Sequence, residues 1–512
     1  MIEPEQIPTS ANLAENLVAA AAAVPDRVAL KCGDLVYTYA EFDRAAAGVA
    51  SLLADTGIRP GDRVGIMLPN VPAFAVAFYG VLRAGAVAVP MNPLLKEREV
   101  AYYLGNTGAA RLLATPAFAG AAQAGAAAVG AACALIDDAL LADLLDGVAP
   151  QAGPVARAAD DTAVILHTSG TTGKPKGAEL THSGLGSNAE IAARTLLEAD
   201  GDDVIMGCLP LFHVFGLTAG LDVAVLSRST ITLLPRFDAV KALEIVRRDG
   251  VTVFEGVPTM YSALLAAAAE AGGAAAHPTL RLCVSGGAAL PVQVLHDFEA
   301  AFGAAILEGY GLSETSPIAA FNHPHRIRKP GTIGTPIEGV EMRVVDGAGQ
   351  PVLPGERGEI QVRGPNVMKG YWNLPEATAA AISPEGWFST GDIGIVDADG
   401  YFSIVDRKKE MIIRGGLNIY PREIEEVLYE HPDVAMAAVV GVPHDTLGEE
   451  VAAAVELRPG AQATADELRA YVKDRVAAYK YPRIVWVTED LPKGPTGKIL
   501  KRDIVIPEGA SK

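Results

Sequence analysis

The sequence predicts an α/β protein with a large N-terminal domain, built of two α/β layered subdomains and a β-rich subdomain, and a small α+β C-terminal domain. Three observations predict it. Apolar strand-like runs alternate with helical periods as far as Gly334, and short alternating strands follow. From Asp406 onward 16 basic residues face 18 acidic ones, so nearly all of the formal net charge of -19 lies before that point. A chain of 512 residues also exceeds what one ordinary core can organise. The expected division is residues 1–405 and 406–512.

Taken in order, Arg27 to Thr38 reads as a strand pair turning at Gly33-Asp34, and Thr38 and Glu41 form a capping box for the next helix. RVGIML, an apolar helix from Pro72 to Arg83, AVAVPM and RLLAT form successive β and α units. The Ala-rich stretch from Ala119 to Leu135 reads as a packed helix. Ala and Gly bury little area, and Pro116 and Asp137 flank it too closely for a membrane span. The pattern resumes at VTVFEGVP, LRLCVSGG and AILEGYG. Beyond Gly334, VEMRVVD, GEIQVRG and the run from Trp387 to Arg407, turning at Asp399-Gly400, read as an antiparallel set. The last segment predicts helices near Pro421 to Glu430 and Ala465 to Ala477, with strands near Ala435 to Val442 and Val451 to Leu457.

Composition excludes several classes. Hydrophobic residues make up 50% and charged residues 20%, which argues against disorder. The acidic first part repels polyanions, so nucleic acid is not an expected partner and any phosphate must be held by local groups. Cys32, Cys133, Cys208 and Cys283 lack CxxC pairing and sit in apolar contexts, as buried thiols in a reducing compartment do. The acidic start MIEPEQIPTS is unlike a signal peptide, and a cytoplasmic location is expected with no integral membrane segment. No HExxH or Cys/His cluster suggests a resident metal, although His323 and His325 are close, and no GxSxG elbow suggests a hydrolase.

The strongest local signal follows the strand TAVIL. His167-Thr168-Ser169-Gly170-Thr171-Thr172-Gly173-Lys174-Pro175-Lys176-Gly177 reads as a phosphate loop, in which glycines let backbone N–H groups converge on an anion, hydroxyls add donors and lysines add charge. It is not a Walker A loop: only two residues separate Gly170 from Gly173-Lys174, and Pro175 stands where a Ser or Thr would hold magnesium. A polar surface turn is the plain alternative, opposed by eleven residues with two lysines in an acidic domain.

This segment resembles the signature of the adenylate-forming superfamily of acyl-CoA synthetases, carrier-domain adenylation enzymes and luciferases. LPLFHVFG (209–216), SGGAALP (285–291), EGYGLSETSP (308–317), STGDIG (389–394), DRKKEMIIRGGLNIYP (406–421) and PKGPTGKI (492–499) follow in the family's order and cover nearly the whole chain. The resemblance implies activation of a carboxylic acid by ATP to an acyl adenylate, then transfer to a thiol, that of coenzyme A or of an acyl carrier protein's phosphopantetheine. No enzyme nucleophile is required.

The resemblance also implies roles. Thr168 to Gly173, Lys174 and Lys176 would cradle the ATP phosphates. Glu314 would hold Mg2+ against them, with Ser313, where the family more often has Thr, reaching the α-phosphate. Gly287, Ala288 and Gly309 to Gly311, with Tyr310 stacking, resemble the adenine platform, Asp392 would accept both ribose hydroxyls, and Arg407 would add charge-assisted bonds. Lys498 matches the lysine that bridges the carboxylate and α-phosphate, with Lys493 as its neighbouring competitor. Because Lys498 is on the small domain, that domain should be mobile, with Lys409 as the hinge and Gly415 and Gly416 lining a pantetheine tunnel.

His213 would line or gate the acyl pocket, with Phe215, Val257, Met260, Gly311 and Ile318 as its walls; a satisfied core histidine is the alternative for His213. Acetate-specific relatives have Trp at the position of Gly311, and malonate-specific ones have Arg at that of Gly309. This contrast implies a monocarboxylic acid of medium or long chain, or an aryl acid of the coumarate type. Intact Lys174, Glu314, Asp392 and Lys498 argue against a non-catalytic scaffold. The sequence does not read the oligomeric state; the family's homodimer is compatible with it.

Overall fold

A computed structural model describes residues 12–168, 174–271, 279–407, 409–444 and 446–507. Among them the strands form four sheets. One nine-stranded sheet runs from Thr335–Pro336 through Ala305–Gly311, Leu282–Ser285, Val253–Gly256 and Val204–Gly207 to the hairpin Val28–Cys32 and Leu35–Thr38. A seven-stranded sheet centres on Val87–Pro90, Arg63–Met67 and Arg111–Ala114, with Thr162–Thr168 and Lys176–Thr181 toward one edge. The central strands of both pair in parallel, as βα crossovers demand.

Between these sheets lies the main core. The helix Pro72–Arg83 is buried at every position, which explains why its sequence is apolar all round. Burying Phe74 and Phe78 there stabilises the fold by roughly 1.5–3 kcal/mol each. The one charge it carries, Arg83, pairs with Asp43 and donates to the Gln151 carbonyl at 3.0 Å. The capping box is formed: the Thr38 hydroxyl accepts from the Glu41 N–H, and the Glu41 carboxylate accepts from the Thr38 N–H at 2.8 Å.

The Ala-rich stretch departs from expectation. Its helix stops after Ala119–Ala127, Gly130 turns the chain at φ +73°, and Ala132–Leu135 becomes an edge strand beside Arg111–Ala114. Composition favoured helix throughout; an unpaired sheet edge captured the last four residues. The helix itself packs through Gly125, where a Cβ would lie 2.6 Å from the Val100 side chain. No helix among the described residues is long and apolar enough to cross a membrane.

The expected antiparallel set is the four-stranded sheet Glu341–Val345, Gly358–Arg363, Phe388–Val396 and Phe402–Arg407. Beyond it, Val434–His444 and Gly448–Leu457 make a long hairpin flanked by Ile484–Thr488 and by the short pair Ile412–Arg414 and Leu417–Ile419. Helices Pro421–Tyr429 and Ala465–Lys473, the second one turn shorter than its sequence period suggested, cover this sheet. Ile424, Leu428, Val439, Val451 and Leu468 belong to a core separate from those of the larger sheets.

Candidate functional site

Sheet topology brings residues more than two hundred positions apart to one cavity of about 200 Å³. Its floor is Gly287, Ala288 and the end of the strand Ala305–Gly311; its walls are Asp392, Arg407 and Lys498. Asp392 stands opposite Arg407 in the register of Phe388–Val396 against Phe402–Arg407. The buried Asp392 carboxylate accepts a 2.5 Å hydrogen bond from the Tyr310 hydroxyl and lies 3.3 Å from the Arg407 guanidinium. This arrangement fixes the ring of Tyr310 beside the glycines and leaves a charged acceptor at the cavity edge.

Lys498 enters from the small domain. Enclosure of its ammonium, and then the charge of Arg407, depress its pKa to about 8, with Glu410 and Asp392 opposing the fall. Glu410 is held below the usual carboxylate range because Lys501 and Lys498 outweigh its burial. Its neighbour Lys501 lies 2.8 Å from Glu425 and 3.3 Å from Glu410, which satisfies that second cation within the small domain. Lys493 pairs instead with Asp490 at 2.6 Å and Glu456 at 3.4 Å, so Lys498 is the lysine presented to the cavity.

Glu314 sits in the turn Ser313–Thr315 that follows the floor strand, and Ser313 opens that turn. It is buried, and the Tyr371 hydroxyl donates to it at 3.0 Å; burial raises its pKa above the ordinary carboxylate value. An oxygen donor whose anionic form is penalised by burial is a fitting seat for a cation. Among the described residues no group of three or more His, Cys, Asp or Glu could hold a metal, so a cation there would share its shell with substrate phosphates.

Thr168 and Lys176 stand opposite each other where Thr162–Thr168 pairs with Lys176–Thr181. The Lys176 ammonium lies 4.9 Å from the Tyr371 ring, and Lys174 is exposed in the bend before it. Ser169, Gly170, Thr171, Thr172 and Gly173 lie outside the described residues. Lys409, in the turn after Arg407, is exposed, and the nearby charges of Lys176 and Arg407 add to slight burial in lowering its pKa.

Val257 lines the cavity, and Met260 follows it on the helix Pro258–Glu270. The Phe215 ring lies against Gly286, where a Cβ would be 2.9 Å from it. His213 is half-buried; burial and the Lys498 charge push its pKa down to about 4, so it is neutral. Its Nδ1 accepts from the Phe215 N–H at 3.3 Å, at the start of the wide π-helical turn Phe215–Asp222. Gly311 opposes Ile318, and a Cβ built at Gly311 would lie 2.1 Å from the Pro317 carbonyl oxygen. Its missing side chain thus serves backbone packing as well as pocket space. At Gly309 the Phe321 ring stands 2.5 Å from where a Cβ would be. Gly415 and Gly416, at φ +57° and +81°, form the hairpin tip between Ile412–Arg414 and Leu417–Ile419, and they do not line the cavity.

Three functional candidates escaped the sequence reading. Glu308 lines the cavity with its carboxyl pushed up to about 7 by burial; one oxygen accepts from the Leu290 N–H at 3.0 Å and the other has no partner among the described residues. It stood inside a quoted motif without a role. Thr259 hydrogen-bonds the residue before Lys498. Asn70 donates to the carbonyls of Gly207 and Leu209, and accepts from the Leu211 N–H at 2.9 Å, bracing the loop that carries His213. Asn70→Ala should lower stability by about 2–3 kcal/mol, read as a shift of the denaturant midpoint, because buried backbone groups lose their partners.

Residues 17–372 match the family described as AMP-binding enzyme, and residues 423–498 match the AMP-binding enzyme C-terminal domain. The chain belongs to the AMP-binding enzyme family. A long-chain-fatty-acid–CoA ligase of Bacillus subtilis (strain 168) is 36% identical over 98% of this chain and 96% of its own. A feruloyl-CoA synthase of an Amycolatopsis species is 40% identical over 94% and 96%. The ATP-bound structure of MatB from Rhodopseudomonas palustris superposes with a TM-score of 0.89 at 34% identity, covering 96% of this chain and 98% of that one; the apo structure of the same protein gives 0.80. This AMP-binding enzyme is an acid–thiol ligase, which activates a carboxylic acid with ATP and forms a thioester with CoA. The chain thus superposes better on the ATP-bound form of that protein than on its apo form.

Proposed function

We propose that the acid is a monocarboxylic fatty acid of medium or long chain, activated as its adenylate with Mg2+ at Glu314 and passed to CoA after the small domain, residues 406–512, turns about Lys409. The observation that carries this reading is the meeting of Lys498 with Tyr310, Asp392 and Arg407 in one cavity.

One substrate carboxylate oxygen attacks the α-phosphorus of ATP, the bond to the β,γ-phosphates breaks, and pyrophosphate leaves. Lys498 neutralises charge on the attacking carboxylate and the α-phosphate, Asp392 holds the ribose, and Tyr310 stacks on the adenine over the glycine floor. Bound Mg2+ would neutralise the phosphates as charge builds on the leaving group. The CoA thiol, losing its proton, then attacks the acyl carbonyl and AMP departs. His213 stays neutral beside the acyl group and adds no charge to an apolar tunnel.

Monocarboxylate selectivity is supported at Gly309, where Phe321 fills the space a cationic side chain would need to reach a second carboxylate. An aryl acid is the second reading, favoured by the 40% identity to the feruloyl-CoA synthase. Pyrophosphate release with MgATP across acids from acetate to long-chain fatty acids and cinnamates, with and without CoA, tests both. Sustained turnover with C8 to C18 acids only when CoA is present is the expected result. Preference for cinnamates selects the aryl reading, and a single burst indifferent to CoA points to a carrier protein as acceptor.

A further inference from the structure

We infer that Thr259 is a positioning residue for the adenylation half-reaction, holding the Lys498 loop against the acyl-side wall; the inference rests on the role proposed above for Lys498. Thr259 is the second residue of the helix Pro258–Glu270, and its hydroxyl donates a 2.7 Å hydrogen bond to the Gly497 carbonyl. The two residues are 238 positions apart and lie on opposite sides of the expected domain border.

The receiving loop is built for a fixed approach. The Gly494 N–H donates to the Lys498 carbonyl at 2.7 Å and the Gly497 N–H to the Gly494 carbonyl at 2.8 Å, closing a small rigid turn. Gly497 has φ +80°, and a Cβ there would stand 3.0 Å from Val257 and 3.1 Å from the Thr259 hydroxyl. Contact with the helix start therefore requires glycine, both for its dihedral and for its bareness. With the peptide after Gly497 anchored, the Cα of Lys498 has a set position, and the long flexible side chain begins from a fixed root. Displacements of about 1 Å at a reacting centre cost on the order of 10²-fold in rate. Val257 touches the loop and lines the cavity, so the wall that meets the substrate also seats the lysine.

The two half-reactions separate this role from a structural one. Thr259→Val keeps the shape and removes the donor. It should slow pyrophosphate release in a single turnover roughly tenfold. It should leave transfer from preformed acyl adenylate to CoA unchanged, since the lysine loop is withdrawn in that step. Thr259→Ser restores the donor and should recover most of the first rate, with the thermal midpoints of both variants near that of the parent. Equal loss in both half-reactions, an unchanged adenylation rate, or failure of Ser to rescue overturns the inference. Lys498→Ala measured alongside tells the two failures apart: if it retains adenylation, the role given to Lys498 is wrong, whereas its loss beside a normal Thr259→Val removes only the role of Thr259.

Discussion

Lys498→Ala should slow acyl-adenylate formation by on the order of 10² to 10³, the scale set by removing one preorganised charge from a phosphoryl transition state. Transfer of the acyl group from supplied adenylate to CoA should stay within about twofold of the parent rate, because no cation is needed to expel AMP from an activated ester. Both are read by rapid quench with labelled ATP. The pH profile gives a second check. With a pKa near 8 in the free enzyme, the lysine is charged below that value and neutral above it, so kcat/KM for adenylation should fall as pH rises through about 8. Bound triphosphate favours the ammonium, so the fall in kcat should come at higher pH. His213 does not confuse the profile, because its pKa of about 4 keeps it neutral throughout. A flat profile to pH 10 for kcat/KM would remove the lysine from the rate-determining chemistry.

Asp392→Asn should weaken ATP binding by roughly 10²-fold, through loss of charge-assisted bonds to the ribose diol worth about 1.5–3 kcal/mol each. The substitution keeps one carboxamide oxygen for the Tyr310 hydroxyl, so the strand Phe388–Val396 should remain in place. It also leaves the Arg407 guanidinium without its anion at 3.3 Å. Titration calorimetry with ATP and no acid present reads binding directly. The rate at saturating ATP should change much less than the affinity, since the ribose contact is made equally in ground and transition states. Unchanged affinity would show that the cavity edge at Asp392 does not meet the sugar.

Local signals in the chain were sufficient where the determinants are local. The apolar run of Pro72–Arg83 and the Thr38–Glu41 cap sit where periodicity and capping chemistry place them. Tyr310, Asp392, Arg407 and Lys498 converge on one cavity as their motifs imply. What escaped depends on partners distant in sequence. Ala132–Leu135 is a strand only because Arg111–Ala114 offers an edge, and four residues of Ala, Cys and Leu carry no preference strong enough to announce it. Thr259 and Asn70 act through backbone carbonyls of other segments, and a carbonyl has no letter in the sequence. Glu308 was hidden differently: its carboxyl is distinguished by burial, which a motif does not report.

The carbonyl of Pro317 standing 2.1 Å from the Cβ position of Gly311 bears on how such an enzyme changes its diet. A side chain at that position would run into the Pro317 carbonyl and the start of the strand Ile318–Phe321, which lie in the direction it would leave the backbone. Shifting preference toward short acids would require the turn from Ser313 to Pro317 to be rebuilt together with the glycine. A substitution at Gly311 alone would therefore strain that turn and not merely narrow the cavity that the glycine lines.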